Sequence, residues 1–124
     1  MFDHMGFEVR EFSKSRSFYE KALGALGLKV VAEFVEWSVV GFGKERPQFW
    51  ISAGKPAGGE DELHVCFAAK DRAQVRAFYE AAMAAGGRDN GKPGLRPEYH
   101  PNYYGAFVFD PDGHNIEACC HQPE

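Results

Sequence analysis

The sequence has few of the features that mark exported, membrane-spanning or nucleic-acid-binding proteins. It contains no apolar run long enough to span a bilayer. Its N-terminus lacks the basic region and apolar core of a signal peptide, so we expect no export. Basic residues do not predominate, since the formal net charge is −4, which argues against a nucleic-acid or anionic-membrane partner. Only three cysteines are present, and this odd count favours reduced thiols and a cytoplasmic location.

What the sequence does contain is an internal repeat. Residues 4–27 align without a gap with residues 64–87, at an offset of 60, and nine of the aligned pairs are identical. Two copies of one supersecondary unit predict a domain with pseudo-two-fold symmetry. The repeat also places a histidine, His4 or His64, at the same position of each copy.

The first copy predicts the element order β-α-β-β-β. Alternating apolar residues favour a strand over 2–10, and an apolar stripe at helical spacing follows, with Ser13 as the expected N-cap. Three short strands are then predicted at 28–34, 37–42 and 48–52.

The second copy predicts the same order. A strand over 63–69 precedes a helix whose start is marked by Asp71 and Gln74, which resemble a capping box. Residues 88–102 are rich in Gly, Pro and Asn and predict a strand fragment with a long loop. Two further strands are predicted at 104–109 and 114–120, joined by a DPDG turn.

These elements predict an α+β fold. We expect one domain over residues 1–124, in which two βαβββ modules form curved mixed sheets around a cavity and the helices lie outside. Module 1 is expected at about 1–54 and module 2 at about 63–124, with a Gly/Pro/acidic linker at about 55–62. Exposed sheet edges need covering, so a homodimer is also expected.

The sheet face opposite each helix is the predicted site. Counting with a period of two places His4, His64 and Glu117 on this face, and Trp50 aligns with Glu117 in the fourth strands. Two histidines and one carboxylate can bind a divalent metal ion and leave coordination positions open. We therefore predict that His4, His64 and Glu117 bind one Zn, Mn, Ni or Fe(II) ion, with Glu117 also the catalytic residue.

Three segments carry a resemblance to a known family. HMGFEV with RSFYEKALG, LHVCFAA with FYEAAMAAGG, and VFDPDGHNIEA resemble the vicinal oxygen chelate superfamily. This superfamily includes glyoxalase I, extradiol dioxygenases, fosfomycin-resistance thiol transferases, methylmalonyl-CoA epimerase and bleomycin-binding proteins. The resemblance covers nearly the whole chain. It implies paired βαβββ modules whose sheets enclose a divalent metal, and it carries over His4, His64 and Glu117 as its ligands.

Departures from the family pattern restrict the expected function. Glyoxalase I has a fourth metal ligand, Glu or Gln, at the position where this chain has Trp50. Glyoxalase I also tends to have an arginine that helps hold glutathione, at the position where this chain has Glu8. Glutathione-dependent glyoxalase I activity is therefore not expected. The three-ligand pattern resembles extradiol dioxygenases, which use iron, and fosfomycin transferases, which use manganese. The latter continue past the last strand with basic residues, whereas this sequence ends at Glu124.

We expect a metalloenzyme, a lyase, isomerase or dioxygenase, acting on a small substrate with adjacent oxygens. One alternative is a non-catalytic small-molecule or antibiotic-binding protein of the bleomycin-resistance type. A further alternative is a fosfomycin-type thiol transferase. Whether the cavity belongs to one chain or is shared across a dimer stays open.

The proline-rich loop at 91–104 is the expected substrate lip. Aromatic groups and one cation suit a planar or carbonyl-bearing anion, although the same loop could be a lid in which the tyrosines are packed. The predicted substrate contacts are Trp50, Arg96, Tyr99, His100, Tyr103 and Glu8. Cys66 and Cys119 could line the cavity, but we interpret them as small buried apolar residues, and His114 as facing solvent or a dimer partner.

Overall fold

The first module has the predicted order of elements. The computed structural model, which describes residues 1–123, shows five regular elements here, with a short 3₁₀ turn, Val35–Trp37, after the second strand. They are β1 (Met5–Val9), α1 (Phe12–Gly24), β2 (Lys29–Phe34), β3 (Val39–Gly43) and β4 (Phe49–Ala53).

The second module repeats the first. Its elements are β5 (His64–Ala68), α2 (Arg72–Ala84), β6 (Arg88–Leu95), β7 (Tyr104–Phe109) and β8 (Asn115–Cys120). Both helices contain 13 residues and begin 60 positions apart, so the repeat register is confirmed. The strand β6 is longer than the expected fragment. It is an edge strand, in which proline is tolerated, and its pairing with β7 shifts register at its glycines. These irregularities explain why its sequence lacks a period-two pattern.

The two helices start differently. In α2 the Asp71 carboxylate accepts the Gln74 N–H at 2.8 Å, which confirms the predicted cap. In α1 the N-cap residue is Glu11, which makes no side-chain cap, and Ser13 lies inside the helix. The predicted Ser13 cap is therefore wrong, because the helix begins early enough to include Phe12, which packs against the core.

Each module forms a four-stranded mixed sheet. The strand orders are β1-β4-β3-β2 and β5-β8-β7-β6, with the first pair of each sheet parallel and the remaining pairs antiparallel. Gly6 lies opposite Trp50 in the first sheet, and Cys66 lies opposite Glu117 in the second. Trp50 and Glu117 therefore occupy equivalent positions, as the alignment of the fourth strands predicts.

A large hydrophobic core joins the modules, and a smaller cluster of Val75, Ala106 and Cys120 lies within module 2. Buried side chains of both helices and of both sheets belong to the large core, and the rings of Phe49 and Phe67 meet edge to face at 5.1 Å across the module boundary. The helices contact each other on this side. Neither helix, within the described residues, has the length and apolarity needed to cross a membrane.

A buried polar cluster also links the modules. Tyr19 of α1 donates a hydrogen bond to Asp110, in the turn between β7 and β8, and His114 Nδ1 lies 3.2 Å from the same carboxylate. The His114 ring packs on Phe7 of module 1 and is 1% exposed. The interpretation of His114 as a solvent-facing or partner-facing residue is wrong, because module 1 covers it.

Candidate functional site

Two of the three predicted metal ligands lie together over module 2. His64 begins β5 and Glu117 lies on the adjacent strand β8. Their closest atoms, His64 Nε2 and Glu117 Oε1, are 2.8 Å apart. The Glu117 side chain is 2% exposed, whereas that of His64 is 49% exposed. The pair therefore joins a buried carboxylate to an imidazole that reaches solvent.

Tyr103 binds the other oxygen of this carboxylate. Its hydroxyl donates a hydrogen bond to Glu117 Oε2. Burial raises the pKa of Tyr103, and the hydrogen bond to Glu117 raises it further, so the hydroxyl stays protonated and remains a donor. The residue was predicted as a substrate contact, and its contact in the structure is with the proposed ligand Glu117.

The third predicted ligand, His4, does not join this pair within one chain. Its Nδ1 lies 2.8 Å from Asp3 Oδ1, and its side chain is 61% exposed. Within residues 1–123, one group of three or more His, Cys, Asp or Glu residues has its ligand atoms within 4.8 Å of one another. Its members are Cys66, Glu117 and Cys119. One chain thus brings together His64 and Glu117 and leaves His4 apart.

A cavity of about 640 Å³ lies over module 1 and contains three of the predicted site residues, His4, Glu8 and Trp50. The Trp50 ring is nearly parallel to that of Phe34, with centroids 6.3 Å apart and an interplanar angle of 14°. Glu8 Oε1 accepts the backbone N–H of Lys55 at 3.0 Å. The module 1 face therefore combines an aromatic surface with a carboxylate.

The remaining predicted contacts lie over module 2. Arg96 and Tyr99 line a separate cavity of about 330 Å³ together with Phe107 and Asn115. The Arg96 guanidinium donates to the Lys92 carbonyl at 2.8 Å and lies 5.4 Å from the centre of the Phe107 ring. Its hydrogen bond and ring contact fix the position of Arg96 within the loop.

His100 makes its contacts with neighbouring residues of the loop and with the end of the chain. Its Nδ1 accepts the Asn102 N–H at 3.1 Å, and its ring meets that of His121 at 5.4 Å. The Tyr99 ring packs edge to face on Tyr103 at 5.1 Å. This segment of the expected lip thus includes packed aromatic rings, and the one that reaches Glu117 is Tyr103.

Two cysteines complete the module 2 face. Cys66 Sγ donates to Cys119 Sγ at 3.3 Å. This hydrogen bond lowers the pKa of Cys119 to about 6 despite burial, and the same contact raises the pKa of Cys66. The interpretation of both as small buried apolar residues is wrong, since Cys66 is exposed and Cys119 partly exposed. A period-two count along β5 and β8 places both cysteines on the same sheet face as Glu117, so the sequence did contain a signal for this pair.

Comparison with known proteins identifies the fold and the family. The family model described as the glyoxalase/bleomycin resistance protein/dioxygenase superfamily matches residues 1–118. A glyoxalase/bleomycin resistance protein from Albidiferax ferrireducens T118 is 32% identical, with a TM-score of 0.81 over 97% of this chain and 98% of that chain. A search of curated proteins finds no match.

Two fosfomycin resistance proteins share the fold at lower identity. FosX from Mesorhizobium loti is 18% identical, with a TM-score of 0.72 over 98% of this chain and 92% of that one. A variant of FosX from Listeria monocytogenes, in complex with Mn(II) and 1S,2S-dihydroxypropylphosphonic acid, is 15% identical, with a TM-score of 0.71 over 95% and 87%. The family model and the 32% identical structure together show that this chain belongs to the glyoxalase/bleomycin resistance protein/dioxygenase superfamily, which is the vicinal oxygen chelate superfamily that its motifs resemble.

Proposed function

We propose that the protein is a metal-dependent lyase, isomerase or dioxygenase that acts on a small substrate with adjacent oxygens. His64 and Glu117 of one chain and His4 of a second copy would bind one divalent ion. The observation that carries this proposal is the pairing of the buried Glu117 carboxylate with His64 Nε2 at 2.8 Å.

The chemistry of this pair fits a metal ion. A buried carboxylate is costly unless a cation or hydrogen bonds compensate its charge. In the described part of the chain, Glu117 has the half-exposed His64 as its ion-pair partner and Tyr103 as a hydrogen-bond donor. Imidazole and carboxylate are ligands for Zn, Mn, Ni and Fe(II). A divalent ion held by His64 and Glu117 would supply the positive charge that compensates this buried carboxylate.

The separation of His4 from this pair favours a site shared between two copies. The strands β1 and β5 each lie at the edge of their sheet, and they carry or adjoin the equivalent residues His4 and His64. Within one chain, the hydrophobic core lies on the helix-covered sides of the two sheets, opposite the faces that carry the predicted site. Pairing module 1 of one copy with module 2 of another would cover both edges and bring His4 to the donor pair.

A divalent ion in this site would supply Lewis-acid polarisation of the substrate oxygens. Each residue of the chain then has a defined part. His64 and Glu117 would hold the ion, and the Tyr103 hydroxyl would keep the carboxylate oriented through Oε2. Trp50 is equivalent in position to Glu117 but has no carboxylate, so it would not supply a fourth ligand. Its ring would instead offer a stacking surface to the substrate.

The aromatic surface of module 1 supports a second candidate, a binding protein without chemistry. The rings of Phe34, Trp37 and Trp50 form a stacked series in the module 1 sheet and the 3₁₀ turn that follows β2, and Trp37 is 69% exposed. Such a surface can hold a planar aromatic compound through stacking alone. In this candidate Glu117 would be a polar anchor for the ligand.

Elemental analysis tests the metal directly. Untagged protein purified without chelator should contain a stoichiometric divalent metal, and after reloading with Mn²⁺, a cation that thiolates do not favour, His64→Ala and Glu117→Gln should retain none. His121→Ala is the matched control, because His121 is exposed and lies outside the proposed ligands. Metal-free wild-type protein whose melting temperature does not respond to Zn, Mn, Ni or Fe(II) would overturn the proposal.

A substrate screen then separates the reaction classes. The metal-loaded protein would be assayed in air and under nitrogen with 2-oxoaldehyde thiol adducts, catechols, epoxides and acyl-CoA thioesters. Oxygen consumption by an iron-loaded form would select a dioxygenase, whereas oxygen-independent turnover would select a lyase or an isomerase. Thiol addition to an epoxide would select a transferase. Absence of turnover, with ligand binding retained in Glu117→Gln, would support the binding protein.

A further inference from the structure

The dithiol pair of Cys66 and Cys119 has no part in the proposed metal centre. It nevertheless lies on the same sheet face, because Cys66 is opposite Glu117 in the ladder and Cys119 is two residues further along β8. The third cysteine, Cys120, points into the core and is 3% exposed. The chain thus has two thiols directed away from the core and one structural thiol, and all three are free.

These two thiols and the Glu117 carboxylate converge. Their ligand atoms lie within 4.8 Å of one another, and the two Sγ atoms are 3.3 Å apart. Two thiolates bound to a tetrahedral zinc ion at about 2.3 Å each are separated by about 3.8 Å. Small side-chain rotations on adjacent strands would open the pair by the roughly 0.5 Å required. Thiolate ligands select soft or borderline cations over the hard ones that carboxylates prefer.

We propose that Cys66, Cys119 and Glu117 form a binding site for a thiophilic divalent cation such as zinc or cadmium. The site differs from the His4–His64–Glu117 centre in its two sulfur donors, and the two centres would compete for the Glu117 carboxylate. Because Cys66 is exposed, water or a small thiol or anion could reach the bound ion as a fourth ligand. Glu117 is the one residue common to both sets of ligands.

A cadmium titration tests this site. Full-length protein would be stripped of metal, kept reduced with a phosphine reductant and titrated with Cd²⁺ under nitrogen. We expect the ultraviolet charge-transfer absorption of thiolate-bound cadmium to saturate at one ion per chain. Because changes beside metal ligands already weaken binding by about 10- to 100-fold, loss of a ligand in Cys66→Ser or Cys119→Ser should weaken it by about tenfold or more.

Two variants separate this site from the rest of the protein. Cys120→Ala is the matched control for a cysteine of the same strand and should leave the titration unchanged. His64→Ala removes the partner of Glu117 Oε1 but neither sulfur donor, so it should weaken Cd²⁺ binding less than either cysteine substitution does and should keep the thiolate charge-transfer absorption at saturation. A titration unaffected by both cysteine substitutions, or abolished by His64→Ala, would overturn the proposal.

Alkylation of the wild-type protein gives a measurement independent of how the variants fold. Bound Cd²⁺ should protect Cys66 and Cys119 together from a water-soluble maleimide, as read by peptide mass spectrometry. Equal labelling of these two cysteines with and without Cd²⁺ would count against the site.

Discussion

Each carboxylate oxygen of Glu117 has its own side-chain partner. One carboxylate oxygen contacts the His64 imidazole and the other accepts the Tyr103 hydroxyl, in a position where the side chain is 2% exposed. Each partner therefore directs one oxygen, and the orientation of a ligand carboxylate influences the affinity of a metal site. The effect of Tyr103 on a bound metal should be measurable separately from that of His64.

Replacing Tyr103 by Phe tests this effect. The ring and its packing are kept, while the hydrogen bond to Glu117 Oε2 is lost. We expect the Kd for Mn²⁺ or Zn²⁺ to rise by about 10- to 100-fold, as is typical when a partner of a metal ligand is removed. Calorimetric titration of the metal-free protein would measure it. Tyr99→Phe is the control, because Tyr99 is exposed and contacts Tyr103 through its ring. Equal affinities of the two variants would contradict the role of Tyr103.

His114 provides a prediction about pH. Its contact with Asp110 raises the pKa of this buried imidazole, against the opposing effect of burial. A pKa that is higher in the folded state than in the unfolded state means that protonation stabilises the fold. The stabilisation is complete below the ordinary histidine pKa of about 6.5 and is lost as the pH rises through the higher folded-state value.

Urea denaturation of wild type and His114→Gln over a pH series would measure this effect. We expect wild type to be more stable by about 3 kcal/mol or more at acidic pH, since the variant leaves the Asp110 carboxylate without its buried cation. The difference should shrink as the pH rises. His121→Gln, at an exposed histidine, should show no such trend. A stability difference independent of pH would show that His114 is neutral in the folded protein.

At the level of elements, the two equivalent helices allow an internal comparison. Asp71 caps α2, whereas Ser13, once expected to cap α1, lies inside that helix and is exposed. Asp71→Ala should lower the free energy of unfolding by about 1 kcal/mol through loss of the cap hydrogen bond. Ser13→Ala should be neutral or slightly stabilising, because alanine is the better residue in a helix interior. Chemical denaturation would measure both, and a loss in Ser13→Ala as large as in Asp71→Ala would contradict the observed helix start.

The repeat explains why so much of the fold could be predicted from the sequence. A gap-free alignment and a period-two count are local properties, and together they located the strands, the helices and the face that carries Glu117. The Ser13 cap was mispredicted because packing of Phe12 decides where α1 begins. His114 was mispredicted because its burial depends on Phe7 of the other module. Such contacts between modules leave no periodic signal.

The same limit applies to the candidate site. The alignment shows that His4 and His64 are equivalent, but it does not determine how the two modules are placed in space. Adjacent strands bring His64 to Glu117, and this proximity follows from one parallel ladder. The position of His4 relative to them depends on the packing between modules or between chains, which no local pattern encodes.

At the scale of the whole molecule, the two equivalent sheet faces differ in chemistry. Gly6 lies opposite Trp50 in module 1, and a side chain at Gly6 would meet Trp50, since an added Cβ would lie 2.9 Å from its Cβ. The matching positions in module 2 carry Cys66 and Glu117. The module 1 face thus presents an aromatic surface, and the module 2 face presents potential metal ligands. A cavity that combines both requires that a module 1 face meet a module 2 face, which the proposed homodimer would provide.

A mixing experiment tests this arrangement. His4→Ala and His64→Ala should each form a homodimer by light scattering, and neither should bind stoichiometric Mn²⁺, which the thiols of Cys66 and Cys119 do not favour. When the two variants are co-expressed or refolded together, half of the dimers contain one chain of each kind. In a shared site, each mixed dimer regains one complete ligand set, so the mixture should bind about one metal ion per four chains.

The control mixture combines His64→Ala with Glu117→Gln. Both substitutions affect the same half of the shared site, so every site in the mixed dimer lacks one ligand and no metal binding should return. If all three ligands came from one chain, neither mixture would recover metal, because each chain would carry its own defect. Recovery in the first mixture but not in the second would therefore require His4 to act across the dimer. Metal binding absent from both mixtures, with wild type fully loaded, would place the whole site within one chain.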